Sequence, residues 1–155
     1  MNITRFTDYS LRVLIYLAVH KDELVTIKAI ADCYDISKNH LMKVVQALSA
    51  KGFLTAIRGK NGGIKLSRTP KEINIGGLIR MLEQDSTLVE CFGPDNRCAI
   101  TPACQLKHMF AEALEAFFTS LDAYTLADVV DKASQIQLDF LLAATPSDTS
   151  LINHL

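Results

Sequence analysis

Residues 26–52 read TIKAIADCYDISKNHLMKVVQALSAKG and contain two short helical patterns separated by a turn. Thr26 can cap the first helix and Ser37 the second, because a hydroxyl oxygen accepts hydrogen bonds from the free amides at a helix start. Asp35 lies between them, where the turn needs a left-handed backbone that aspartate tolerates better than most residues. The apolar side chains recur at helical spacing and would face one core; they are Ile27, Ile30, Ala31, Tyr34, Leu41, Val44, Val45 and Leu48. The stretch predicts a helix-turn-helix.

The sequence on either side extends this pair of helices to a winged helix. Upstream, apolar residues recur at helical spacing over residues 7–20. Downstream, two short apolar runs at 53–57 and 64–66 flank RGKNGG, whose glycines and cations are typical of a turn. A basic β-hairpin directly after a helix-turn-helix is a wing. The predicted fold class is mainly α with a small β-hairpin wing: a winged helix-turn-helix followed by a long dimerisation helix.

The rest of the chain predicts a short helix over residues 73–84, a loop, a long helix and a last short helix. Thr101 and Pro102 can open the long helix as N-cap and first helical residue. Thr125 and Asp128 form a capping box at the start of the last helix. We divide the chain into a winged helix-turn-helix DNA-binding domain at 1–70, a cysteine loop with dimerisation helices at 71–135, and a C-terminal tail at 136–155, expected to be partly disordered.

The charge is unevenly distributed along the chain. Residues 1–70 carry a formal charge of +6 and residues 71–155 carry −7, which leaves a net charge of −1. A basic first half favours a polyanion as the partner of that half alone. On charge alone, ordinary solvated surface charge is an equal alternative.

The second helix of a helix-turn-helix lies in the major groove and reads base edges with its N-terminal residues. In this chain those positions carry side chains that can hydrogen-bond to DNA, and the wing tip carries two cations suited to phosphate or a narrow minor groove. The alternative is a helix-turn-helix used only for protein contacts, and the basic wing favours DNA. The predicted DNA-binding residues are Ser37, Lys38, Asn39, His40, Lys43, Arg58 and Lys60.

An apolar stripe runs along the long helix. It offers more apolar surface than a lone terminal helix can hide, so we expect it to pair with its copy in a symmetric homodimer. Such a dimer would bind a roughly palindromic site on double-stranded DNA. The alternative is that the stripe packs only on the winged domain of its own chain. The stripe consists of Leu106, Phe110, Ala113, Leu114, Phe117 and Leu121.

Three of the four cysteines, Cys91, Cys98 and Cys104, fall within fourteen positions, separated by six and then five residues. These gaps are looser than those of zinc knuckles and suit an iron–sulfur cluster, which thiolates bind. We expect Cys104 at the third position of the long helix, where free amides and the helix dipole stabilise an anionic cluster. Zinc and reduced bystander thiols are the alternatives. Cys33 has apolar neighbours and is predicted to pack as a small hydrophobe.

Other classes of protein are disfavoured. No run approaches the ~20 apolar residues of a membrane span, and the N-terminus lacks the pattern of a signal peptide. We therefore expect a cytoplasmic protein, in which thiols stay reduced. A nucleophile–base pairing, a phosphate-binding glycine loop and a paired-carboxylate motif are all missing from the sequence, so an enzyme is not expected.

Three motifs have a further meaning when taken together: MNITRFTDYSLR at 1–12, AIRGKNGG at 56–63 and ITPAC at 100–104. They resemble the nitric-oxide-sensing repressors of the Rrf2-type family of bacterial iron–sulfur transcription regulators. The resemblance runs to about residue 131 and includes LDAYTLADVV at 121–130. It implies a homodimeric repressor whose cluster supports operator binding, and which releases the DNA when nitric oxide nitrosylates the cluster.

Carried over by position, the resemblance assigns the thiolate ligands of the cluster to Cys91, Cys98 and Cys104, and an oxygen ligand to Asp8 of the partner subunit. Judged on its own, Asp8 is an acidic residue that suits a helix N-terminus. The gap between the first two cysteines is longer than in such relatives, so a 2Fe–2S and a 4Fe–4S cluster both remain open. A signal of iron–sulfur supply or oxidative stress is the alternative within the family, and a cluster-carrying redox or assembly protein is the alternative outside it.

Overall fold

The computed structural model describes residues 3–84 and 86–143, which form a mainly helical chain with one antiparallel β-hairpin. The helices are α1 (Arg5–Val19), α2 (Ile27–Tyr34), α3 (Lys38–Ala50), α4 (Ile75–Leu82), α5 (Gln105–Asp122), α6 (Leu126–Val129) and α7 (Lys132–Ala143), and the strands are β1 (Leu54–Ile57) and β2 (Gly63–Leu66). Short 3₁₀ turns lie at Pro70–Glu72, Glu90–Phe92 and Thr101–Ala103. The predicted fold class is confirmed. Within these ranges, no helix combines the length and the apolar character that crossing a bilayer requires.

Hydrogen bonds at the predicted caps hold α2 and α3 in place. Thr26 Oγ1 accepts the Ala29 N–H at 3.1 Å, and Ser37 Oγ accepts the His40 N–H at 3.3 Å. Asp35 has φ 50° and ψ 46°, so the chain turns there through a left-handed residue. A cap of this kind stabilises its helix by about 1 kcal/mol. The caps and the turn expected from the sequence are therefore confirmed.

The core lies between α1, α2, α3 and the inner side of the wing. Ile73 and Leu126 belong to the same buried cluster, although they are far apart in sequence. The Leu126 N–H donates to the Ile73 carbonyl oxygen at 2.8 Å, which fastens α6 to the segment after the wing. The C-terminal half therefore folds back onto the winged helix. Other members of this buried cluster include Val13, Leu14, Leu17, Ile30, Leu41, Val44 and Leu48.

The wing is anchored at its base. Leu54 pairs with Leu66 across the hairpin, and Ile64 exchanges two backbone hydrogen bonds with Val25, at 3.1 and 2.8 Å. A Cβ at Gly63 would lie 2.8 Å from the Val25 carbonyl oxygen, so this close backbone approach requires glycine. The wing is thus joined to the residue that leads into α2.

A charged cluster around Arg80 joins α4 to α5. The guanidinium donates to both carboxylate oxygens of Glu115 at 3.0 Å and to Asp122 at 2.8 Å. It also lies 4.5 Å from the ring centroid of Phe118. A bidentate contact within a network of charges holds its geometry better than an isolated surface ion pair does. The cluster therefore sets how the long helix leaves the winged domain.

The long helix begins later than the sequence predicts. Thr101 lies in a 3₁₀ turn, and its hydroxyl donates to the Cys98 carbonyl oxygen at 2.8 Å rather than capping α5. Cys104 has φ −81° and ψ 106°, an extended backbone that the helix cannot include, and it occupies the N-cap position of α5. The prediction that Thr101 caps this helix, with Cys104 at its third position, is therefore wrong.

The C-terminal region contains a helix that the sequence did not predict. The predicted tail begins at 136, yet α7 extends through Ala143. Asp131 stabilises its start, because its carboxylate accepts the Ser134 N–H at 2.8 Å. The expectation of disorder for TPSDTSLINHL at 145–155 falls outside the residues that the structure describes.

Candidate DNA interface and cysteine loop

The N-terminal turn of α3 presents the residues expected to read DNA. Ser37, Lys38, Asn39, His40 and Lys43 are all exposed, while the opposite face of the same helix is buried. Amide, imidazole and ammonium groups on one exposed turn can bind base edges and phosphates in a major groove. Their DNA contacts stay predictions, but their accessibility agrees with that role.

The wing tip places two further cations in solvent. Arg58 and Lys60 are exposed, and Gly59 between them has φ 116°, which lets the loop turn tightly. The Phe53 N–H donates to the Leu48 carbonyl oxygen at 2.9 Å, so the hairpin starts directly from the end of α3. The recognition helix and the wing are therefore one connected unit.

The three clustered cysteines lie on one loop between α4 and α5, and none of them is in a disulfide. Cys91 is half-buried in the 3₁₀ turn Glu90–Phe92, Cys98 is exposed, and Cys104 is half-buried at the start of α5. Among the residues that the structure describes, no three His, Cys, Asp or Glu side chains are grouped so that they could hold a metal ion. The fold brings the thiols to one loop but leaves them apart in this conformation.

Polar side chains give the loop a defined shape. Asn96 Oδ1 accepts the Cys98 N–H at 3.0 Å, and Asn96 Nδ2 donates to Thr101 Oγ1 at 3.0 Å. The Glu90 carboxylate accepts the Arg97 N–H at 2.8 Å. These contacts hold the backbone around Cys98, and the sequence reading did not identify them.

Asp8 lies in the first turn of α1 and pairs with Arg12. Their closest atoms are 3.0 Å apart, and the side chains are 46% and 43% exposed respectively. The Arg12 guanidinium also lies 5.8 Å from the ring centroid of Tyr34 on α2. Asp8 is thus accessible to a second molecule and is engaged by an arginine of its own chain.

The donor set fits an iron–sulfur cluster. Three uncrosslinked thiols on one loop can supply the thiolates that such clusters require. The ligand roles of Cys91, Cys98, Cys104 and Asp8 of the partner subunit stay predictions.

Cys33 differs from the other cysteines. It packs against the core, and its Sγ donates to the Leu142 carbonyl oxygen of α7 at 3.4 Å. Burial raises the pKa of the Cys33 thiol, so it is less reactive than a free thiol in water. The prediction that Cys33 is a packed hydrophobe is confirmed.

The apolar stripe of α5 is covered along only part of its length. Leu114, Phe117 and Leu121 are half-buried, whereas Leu106 and Phe110 are 54% and 36% exposed. Met109 beside them is 61% exposed. The alternative that the stripe packs on its own chain therefore holds for the C-terminal half only. The N-terminal half offers an apolar face to a partner.

A cavity of about 260 Å³ lies between the N-terminal segment, α4, α5 and the start of the cysteine loop. Ile3, Ile79 and Leu88 contribute apolar walls, while Arg80 and Glu83 lie at its polar side. The cavity is therefore lined by residues that are far apart in the sequence, such as Ile3 and Leu88.

Comparison with known proteins identifies the family. A family model described as an iron-dependent transcriptional regulator, Rrf2, matches residues 3–132. The chain is 52% identical over 139 residues to the HTH-type transcriptional regulator NsrR of Bacillus licheniformis, covering 88% of this chain and 97% of that protein. The NsrR of Bacillus subtilis is 51% identical over 138 residues, with 88% of this chain and 94% of that protein covered.

Solved structures with a similar fold also match most of the chain. IscR of T. potens has a TM-score of 0.70 and 25% sequence identity, and the match covers 88% of this chain and 91% of that chain. The oxidised form of Staphylococcus aureus CymR has a TM-score of 0.68 and 26% identity, with coverages of 84% and 97%. The relatives named as transcriptional regulators confirm that the chain is not an enzyme. The chain belongs to the Rrf2 family of iron-dependent transcriptional regulators.

Proposed function

We propose that this regulator is a nitric-oxide-responsive repressor that binds palindromic operator DNA as a homodimer and depends on an iron–sulfur cluster. The observation that carries the proposal is the presence of three free thiols on the loop that leads into α5. The 51–52% identity to proteins named NsrR supports the same class of signal. Exposure to nitric oxide would then release the operator, through the cluster that the three thiols would hold.

DNA recognition follows from the winged helix. The exposed N-terminal turn of α3 enters the major groove, where Asn39 can pair with adenine and Lys38 with guanine or phosphate. Arg58 and Lys60 bind the backbone or the minor groove at the wing. Phosphate contacts fix the register of the protein on DNA, and base contacts select the sequence.

The dimer is built on the N-terminal half of α5. Leu106, Met109 and Phe110 are exposed on one helix, and burying large apolar side chains favours association. A two-fold axis would place the same surface of each copy in contact and orient two recognition helices for two half-sites. A palindromic operator is the expected consequence.

Cys91, Cys98 and Cys104 are the residues that would hold the cluster, together with Asp8 of the partner subunit. When bound, the cluster supplies iron that reacts with nitric oxide. The contribution of the chain is to hold the thiols on one loop and to keep Asp8 half-exposed on the first turn of α1. A carboxylate that connects the two copies would link the loop of one to the winged helix of the other.

The test is anaerobic purification followed by absorbance, iron and sulfide measurements and operator binding. We expect coloured protein that shifts promoter DNA and loses both properties when nitric oxide is added. Operator affinity that is unchanged after complete nitrosylation would refute the proposed signal. Colourless, iron-free protein that binds its operator with full affinity would refute the need for a cluster.

A second candidate is a regulator that senses iron–sulfur supply or oxidative stress. The description of the matching family as iron-dependent favours this candidate over an unrelated signal. Titrating nitric oxide, iron depletion and peroxide against operator affinity separates the two. The signal with the largest effect at the lowest dose identifies the function.

A further inference from the structure

Among the residues that the structure describes, three carboxylates each accept hydrogen bonds from a threonine backbone N–H and from the hydroxyl of the same threonine. Glu72 does so with Thr69 at 2.8 and 2.7 Å, and Asp128 does so with Thr125 at 2.7 Å for both bonds. These two pairs are capping boxes, because the acid lies three residues after the threonine that starts its own helix or turn.

The third pair has the same chemistry without the sequence proximity. Thr4 is the N-cap of α1, and its N–H and hydroxyl donate to Glu83 Oε1 at 2.9 and 2.8 Å. Within α1 the position that would carry the capping acid holds Thr7 instead. Glu83, which is 79 residues away at the C-cap of α4, therefore supplies the acid for a helix to which it does not belong.

This contact joins the two regions that the proposed function must couple. On one side, Glu83 ends α4 and its carbonyl oxygen accepts the Ser86 N–H at 2.8 Å, at the start of the segment leading to Cys91. On the other side, the Asp8 N–H donates to the Thr4 carbonyl oxygen at 3.0 Å. The Glu83 carboxylate thus connects the segment that leads into the cysteine loop with the helical turn that carries Asp8.

The local environment keeps this carboxylate in its charged form. Burial opposes ionisation of Glu83, but hydrogen bonds from Thr7, Thr4 and Ser86 together outweigh it and lower its pKa. The contact borders the cavity described above, whose walls include Ile3 and Leu88. The N-terminal turn and the end of α4 therefore have space beside them into which a small separation can occur.

We propose that Glu83 is a positioning residue that transmits the state of the cysteine loop to α1. A change in the loop moves the end of α4, releases or tightens the hold on Thr4, and shifts the turn that carries Asp8. The identity of the signal that changes the loop rests on the proposed function. The Thr4–Glu83 contact and its effect on α1 do not depend on it.

The first test needs no cluster. The metal-free full chain is treated with N-ethylmaleimide, which modifies the accessible loop thiols, and amide hydrogen exchange is measured over residues 4–8. In the wild type we expect exchange to accelerate by about ten- to a hundredfold, the range that loss of one hydrogen bond to a charged group produces. Glu83→Gln should exchange rapidly before treatment and respond little to it. Glu72→Gln is the matched control, because it weakens an equivalent local pair and should leave residues 4–8 unchanged.

The second test measures the ratio of operator affinities before and after nitric oxide, for the cluster-loaded wild type, Glu83→Gln and Glu72→Gln. We expect Glu83→Gln to reduce this ratio by about tenfold and Glu72→Gln to preserve it. Thr4→Ala removes the hydroxyl bond but keeps the backbone N–H bond to Glu83, so it should reproduce the effect in part, and the double variant should match Glu83→Gln alone.

Each outcome decides one claim. Exchange that does not change on alkylation of the wild type, or that changes equally in Glu83→Gln, overturns the coupling role. Altered exchange with a normal nitric oxide response in Glu83→Gln reduces the contact to a structural one and also overturns the proposal. A wild type that ignores nitric oxide but shows the Glu83-dependent alkylation effect refutes the proposed signal and supports the coupling.

Discussion

Arg12 Nη2 lies 3.0 Å from the Asp8 carboxylate, one helical turn away on the same face of α1. The pair is nearly half exposed, so its net stabilisation is small, about 0.3–0.5 kcal/mol for a pair at this spacing. A weak, exposed pair can be displaced when a stronger ligand interaction becomes available. Asp8 is therefore accessible enough to serve a second copy of the chain without a large penalty to its own.

The first prediction concerns Asp8→Ala. We expect a cluster that is still held by three thiolates but is lost at least about tenfold faster, because one ligand has been removed. The rate is measured from the decay of cluster absorbance in the presence of an iron chelator. Asp32→Ala is the control, since Asp32 forms an equivalent pair with Lys28 on α2. Equal decay rates in the wild type and Asp8→Ala would exclude ligation by Asp8.

Arg58→Ala tests the wing. Removing one phosphate contact from each subunit should lower operator affinity and reduce the slope of log affinity against log salt by about 1 per lost contact. The measurement is a salt titration of operator binding. Lys132→Ala removes the same charge outside the predicted interface and should leave the slope unchanged. An affinity loss in Arg58→Ala that does not vary with salt would show that Arg58 does not contact phosphate.

Phe110→Glu tests the dimer surface on α5. A charge placed among exposed apolar side chains would be buried without a partner, so the dissociation constant of the dimer should rise by at least about a hundredfold. Sedimentation velocity measures it over a range of concentrations. Thr119→Glu adds the same charge to an exposed position on the opposite side of α5 from Phe110 and serves as the control. An undiminished dimer in Phe110→Glu would move the interface elsewhere.

Two adjacent glycines in α4 should respond in opposite ways. A Cβ at Gly76 would lie 2.7 Å from the Asp122 backbone nitrogen and closer still to its carboxylate, so Gly76→Ala should destabilise the fold by about 1–3 kcal/mol. The nearest atom to a Cβ at Gly77 is 3.4 Å away, so Gly77→Ala should stabilise α4 by up to about 1 kcal/mol. Urea unfolding measures both. Equal effects would mean that α5 does not approach α4 at Gly76.

Asp128→Asn should change how stability depends on pH. Hydrogen bonds from the backbone and then the hydroxyl of Thr125 lower the pKa of Asp128 in the folded protein. The stability that this carboxylate contributes is therefore present above the ordinary aspartate pKa and is lost as pH falls through the lowered value. The wild type should be more stable than Asp128→Asn at neutral pH, and the two should converge in acid. Thermal unfolding across that range checks this, and a constant difference would contradict it.

Local interactions explain which parts of the fold could be predicted from sequence. Thr26 and Ser37 cap helices through bonds to residues three positions away, and Asp35 adopts its left-handed conformation within the same short segment. The spacing of apolar residues likewise locates the core face of α3. Such features depend on residues that are close in the chain, so the residue types alone are enough to predict them.

The features that the sequence did not predict correctly do not follow from such local patterns. Thr101 looks like a cap, yet its hydroxyl bonds to the Cys98 carbonyl because the loop bends back on itself. The Thr4–Glu83 contact joins residues 79 positions apart, so no local pattern could indicate it. The sequence did not predict the helix after Asp131, because the apolar residues there do not follow a clean helical period. These residues are Ile136, Leu138, Phe140, Leu141 and Leu142.

The attachment of the wing at both ends limits how a signal can act on DNA. Because backbone hydrogen bonds join Val25 to β2 and Leu48 to the start of the hairpin, we expect the wing and α3 of one copy to move together. In the homodimer proposed above, a signal would then act on the distance or the tilt between the two DNA-reading surfaces. Operators whose half-sites are moved apart by whole base pairs should therefore lose affinity abruptly, while the bases preferred within each half-site remain the same.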